Sequence, residues 1–114
     1  MRPPSTPAPK IDEVVALVKQ ALEKGEMPPG WGLAPNSHWE QQHGFIFLRK
    51  SGIIKACLID LPHMKRAMCT DPPQGRFAIE TYTTADGWKV ENYADTPEQL
   101  VAAFITYVVT GVIQ

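Results

Sequence analysis

The chain is poor in the groups from which enzyme sites are usually built. Its 114 residues hold two cysteines, three histidines and only three serines, Ser5, Ser37 and Ser51. No serine stands in a nucleophile elbow. Cys57 and Cys69 do not form a Cys-x-x-Cys pair, and His38, His43 and His63 match no zinc-ligand spacing, so no metal centre is encoded. A nucleophile drawn from Cys69 with His63 or His43 needs a thiol of lowered pKa. Lys65 and Arg66 lie nearby in sequence, yet a lone loop cysteine beside basic residues is more simply an exposed one. Gly30-Trp31-Gly32 is followed by neither a lysine-serine pair nor a helix start, which excludes a phosphate loop. Carboxylates are not paired by spacing either: Asp60 ends one strand-like run and Glu40 precedes another. The expectation is therefore no catalytic residue, no metal and no cofactor, with a non-enzymatic role ahead of an enzymatic one.

Two further absences bound the setting. No window reaches the roughly 18–20 apolar residues that a membrane-spanning helix needs, and Met1-Arg2 leads into prolines and not into the apolar stretch of a secretory signal. Both point to a reducing cytoplasm and two free thiols. The net charge of −1 supplies no global field for nucleic acid or an anionic membrane. Its distribution is uneven. Arg49, Lys50, Lys55, Lys65, Arg66 and Arg76 outweigh Asp60 and Asp71 in the middle, whereas from Phe77 onward only Lys89 opposes Glu80, Asp86, Glu91, Asp95 and Glu98. A base-stacking sheet would expose aromatics among those cations. Phe45 and Phe47 instead lie in continuous apolar runs, so burial is the better account, and nucleic-acid binding through residues 49–76 stands third among the functional readings.

What is present is patterned. Four of the eleven prolines fall in the first nine residues, which marks 1–9 as a flexible proline-rich arm ahead of a single domain over 10–114. Ile11, Val14, Val15, Val18, Ala21 and Leu22 recur at helical steps between charged residues, with Asp12 and Glu13 in the first turn, Lys24 in the last and Gly25 as a left-handed stop. Residues 26–36, with three prolines and two glycines, read as a connecting loop that lays Trp31 and Leu33 on the body. Phe45–Arg49 and Ile53–Asp60 read as strands joined at Lys50-Ser51-Gly52, apolar on both faces and hence central in a sheet. The 61–75 connection, rich in proline and carrying His63, Lys65 and Arg66, is too long for a hairpin. Arg76–Thr83 and Trp88–Tyr93 alternate about an Asp86-Gly87 turn, with Phe77, Ile79, Trp88 and Val90 inward and Glu80, Lys89 and Glu91 outward.

The final stretch carries the functional question. Thr96 suits an N-cap, Pro97 the first helical position and Gln99 the third, and no formal charge follows Glu98. Leu100, Val101, Phe104, Ile105, Val108 and Val112 form a broad apolar stripe, and the opposite side is small or uncharged where a solvated helix would carry lysine and glutamate. These elements predict an α+β domain: a mostly antiparallel sheet of four or five strands flanked by an N-terminal and a C-terminal helix. The leading functional expectation is a non-enzymatic adaptor, chaperone or inhibitor. It would form a homodimer or bind another protein through Ala103, Thr106, Tyr107 and Thr110, with no membrane partner. The alternative is a small-molecule-binding or enzymatic pocket between the sheet and the 26–36 and 61–75 loops, with Trp31, His63, Lys65 and Arg66 as its candidate residues.

Overall fold

The computed structural model describes residues 11–34, 44–61 and 75–113. The element order is α1 (Ile11–Glu23), β1 (Trp31–Leu33), β2 (Phe45–Lys50), β3 (Ile53–Asp60), β4 (Phe77–Thr83), β5 (Gly87–Ala94) and α2 (Pro97–Val109). The strands form one antiparallel sheet in the order β1-β2-β3-β4-β5, so every strand pairs with its neighbours in sequence. The α+β expectation holds, with helices at both ends of the chain. The 1–9 arm, the residues 35–43 that lead into the strand beginning at Phe45, and the connection over 62–74 lie outside the described residues.

Local chemistry sets the element ends. Helix α1 stops at Gly25, whose φ of +71° is the left-handed conformation the sequence anticipates. Around it the N–H of Gly25 donates to Leu22 O at 3.2 Å and that of Glu26 to Ala21 O at 2.9 Å, satisfying carbonyls the helix end leaves open. Ser51 and Gly52 both have positive φ (52° and 83°), which matches the right-handed twist of the β2–β3 hairpin. The β4–β5 turn takes three residues, 84–86, and closes on Gly87 at φ +69°. Thr96 caps α2 as its sequence predicts: its Oγ1 accepts from Gln99 N at 3.1 Å, and Gln99 Oε1 in turn accepts from Asp95 N at 3.1 Å.

The 26–36 stretch is not wholly loop. Trp31–Leu33 pairs with Lys50–Leu48, and Gly30 O accepts from Ser51 N at 2.8 Å. Three residues of strand between prolines carry no readable period, and what fixes them is Trp31, buried against Phe104 with ring centroids 5.5 Å apart at 85°.

Both helices lie over one face of the sheet. Ile11, Val14 and Val18 from α1, Leu100, Phe104 and Val108 from α2, and Ile46, Leu48, Leu58, Phe77 and Ile79 from the strands make the main core. The other face carries Phe45, Cys57 and Ile59, with Phe47, Leu61 and Trp88 packed on them. Burial on both faces of β2 and β3 is what their continuous apolar runs required. Cys57 is a buried cysteine within this second cluster.

The second hairpin departs from simple alternation. Ile79 opposes Asn92 but Glu80 opposes Val90, so Glu91 is an extra residue in β5. This bulge turns Trp88 and Val90 away from the helices and onto the face that Glu80 shares. Glu80 is consequently buried, 3% exposed, and does not face outward. The rings of Phe47 and Trp88 approach to 5.8 Å although β3 and β4 separate their strands. Three strand spacings are ~14 Å, so the two rings meet only by lying across the sheet. They roof the row in which Cys57 and Glu80 oppose each other.

Candidate interaction surface

Helix α2 presents two chemically distinct sides. Leu100, Val101, Phe104 and Val108 are buried, and Ala102, Thr106, Val109 and Thr110 are exposed. Between these sides, Ala103 and Tyr107 are half-buried toward β5, where Asn92 Nδ2 donates to Tyr107 Oη at 2.6 Å. The helix ends one turn before its apolar stripe would: Gly111 reverses the chain at φ +84°, and Ile113 N donates to Tyr107 O at 3.1 Å. Ile113 thereby takes a core position, and Val112, expected in the buried stripe, is 58% exposed.

The exposed crown is uncharged, and its hydroxyls are already satisfied. Thr106 Oγ1 donates to Ala102 O at 3.0 Å and Thr110 Oγ1 to Thr106 O at 2.7 Å. Threonines bonded back to their own helix present mainly methyl groups outward, and covering them leaves no hydroxyl donor stranded. Val109 beside them is 60% exposed. A groove of about 540 Å³ separates this crown from α1, floored by Leu17, Ala21, Val101 and Ile105 with Lys24 and Glu98 at its margins.

The sheet edges are less accessible than the helices. β1 is three residues long, and β5 is bent by its bulge and carries Lys89 and Glu91, paired at 3.6 Å. The N–H of Tyr93 donates to Asn92 Oδ1 at 2.8 Å and is not offered to an incoming strand. Short, bulged or charged edges resist strand addition.

Of the residues proposed for a pocket, Trp31 belongs to the helix-side core, and His63, Lys65 and Arg66 lie outside the described residues, as do His38, His43 and Cys69. Among the described residues no group of three or more His, Cys, Asp or Glu comes together, and no helix is long and apolar enough to cross a membrane. The basic middle is partly committed within the fold: the Arg76 guanidinium clasps the buried Asp60 carboxylate through two bonds of 3.1 and 3.2 Å and stacks on Phe77.

A second concavity, of about 450 Å³, lies where the β2–β3 and β4–β5 turns meet the segment after α2. Sequence reasoning missed it because its residues come from four elements: Ile53 and Lys55, Thr81, Lys89 and Glu91, and Val112. Glu91 accepts from Thr81 Oγ1 at 2.9 Å within it. Compared with known proteins, the chain matches no family model, no curated protein and no solved structure.

Proposed function

We propose that the protein is a small non-enzymatic interaction protein of adaptor, chaperone or inhibitor type that works in a reducing cytoplasm and self-associates through the outer side of α2. One observation carries the reading: the crown formed by Ala102, Thr106, Val109 and Thr110 is exposed and uncharged, and its threonine hydroxyls are hydrogen-bonded within the helix. A helix that ends in water normally carries lysine or glutamate on that side, and contiguous apolar surface of this kind marks contact sites. The blunted edges of the sheet favour association by faces over strand addition.

Sedimentation velocity at tens of micromolar tests the reading. Thr106→Glu is the informative variant, because Thr106 is exposed and a carboxylate there is tolerated by the monomer, whereas Ala103 is half-buried against the core. The wild type should sediment as a dimer and the variant as a monomer of unchanged fold. A wild-type monomer whose size and stability are indifferent to Thr106→Glu overturns the self-association reading.

A further inference from the structure

The two bulges of the sheet have a common destination. In β3, Ala56 opposes Leu48 and Ile54 opposes Arg49, which makes Lys55 the extra residue; in β5 the extra residue is Glu91. Each bulge re-aims a charged side chain, and both of these side chains line the 450 Å³ concavity, on either side of Thr81. Bulges recur beside binding sites because they turn one side chain out of the regular alternation, and here two of them converge.

The charges in this hollow do not balance. Glu91 is engaged by the Thr81 hydroxyl at 2.9 Å and by Lys89 at 3.6 Å. The ammonium of Lys55, half-buried at the same hollow, makes no hydrogen bond or ion pair among the described residues. The rim is mixed, with Ile53 60% and Val112 58% exposed as its apolar part and Thr83 and Thr84 as its polar part. A concavity of this volume falls in the range of small-molecule sites, which combine apolar walls with a few placed polar groups. We infer that it binds a small organic anion with an apolar body: the anionic head pairs with the Lys55 and Lys89 ammonium groups, the Glu91 carboxylate, held by the Thr81 hydroxyl, repels the head toward Lys55, and the body covers Ile53 and Val112. The occupant is free in solution. This site is separate from the crown of α2, so its success or failure is independent of self-association.

The test is a titration of the ¹⁵N-labelled full chain with sodium octanoate, with octan-1-ol as the neutral probe of equal chain length. Saturable shifts should centre on Lys55, Thr81, Lys89, Glu91 and Val112. Lys55→Gln should weaken octanoate by about tenfold or more, a difference the affinity scale resolves readily, while Lys55→Arg retains binding. Lys89→Gln, if the Lys55→Gln spectrum shows an unfolded chain, should weaken octanoate in the same direction. The inference is overturned if no saturable shifts appear, if they centre elsewhere, if octan-1-ol binds as tightly as octanoate, or if a folded Lys55→Gln binds like the wild type. Co-sedimentation with phosphatidylglycerol vesicles in the absence of octanoate shifts would place the anion in a lipid surface and also overturns it.

Discussion

Phe104→Ala tests how the first strand is held. β1 has three residues and pairs in the sheet only with β2, so its backbone bonds fix little on their own. Its anchor is Trp31, 7% exposed, standing edge-on to the fully buried Phe104 of α2. Removing a buried phenylalanine ring costs about 3–5 kcal/mol in lost transfer energy and residual cavity. That is a large share of the ~5–15 kcal/mol that holds a domain folded. With a slope of ~2 kcal/mol per molar, the urea midpoint should fall by about 2 M. Trp31→Ala should cost a similar amount, and the double variant should lose less than the sum by about 0.5–1.5 kcal/mol, the worth of an edge-to-face pair beyond its area. Equilibrium urea unfolding followed by far-ultraviolet circular dichroism measures all three. If the losses add to within ~0.3 kcal/mol, the two rings are not coupled. If Phe104→Ala costs under ~1.5 kcal/mol, well below the usual range for such a truncation, Trp31 is not held by this core and is available for another role.

Two other perturbations address the periphery. Thr96→Ala removes the side-chain acceptor of Gln99 N–H and should lower stability by about 1 kcal/mol, a shift of several degrees in Tm, measurable by calorimetry; an unchanged Tm would show that Gln99 and Pro97 suffice to start α2. Asn92→Ala removes both the cover on Tyr93 N–H and the bond to Tyr107 Oη. It should cost about 1 kcal/mol and raise the concentration-dependent aggregation rate in light scattering, and a variant no more aggregation-prone than wild type would mean that the bulge alone guards the edge.

The helices and four of the five strands are legible in the sequence because each is long enough to show its period. The stripe Ile11, Val14, Val15, Val18 and Ala21 is buried in the order it is written, and Thr96 caps the helix it was expected to cap. β1 escapes such reading because three residues between glycines and prolines have no period, and its existence depends on Phe104, far along the chain. The inward set Phe77, Ile79, Trp88 and Val90 splits between the two faces because a single extra residue, Glu91, reverses the parity of β5. Val112 sits outside for a related reason: periodicity counts past Gly111 as though the helix continued. The crown of α2 was visible as an absence of charge, although its exposed centre lies at Thr106 and Val109 more than at Ala103 and Tyr107. The hollow was not visible, since it exists only once two register shifts and a chain reversal bring four elements together.

The meander has a kinetic corollary. Every strand pairs with the one synthesised just before it, so the sheet can zip hairpin by hairpin as the chain leaves the ribosome, with each loop closing at small entropic cost. The packing of α1 and of Trp31 in β1 against α2 is the exception, because it joins residues 11–33 to residues 97–109. Until α2 emerges, the helix-side face of a nearly finished sheet lacks Leu100, Phe104 and Val108. This nascent stage is the interval in which the chain is most exposed to misassociation. Truncations that stop short of Phe104 should be held by chaperones or degraded, and a circular permutant that begins at α2 should shorten that interval.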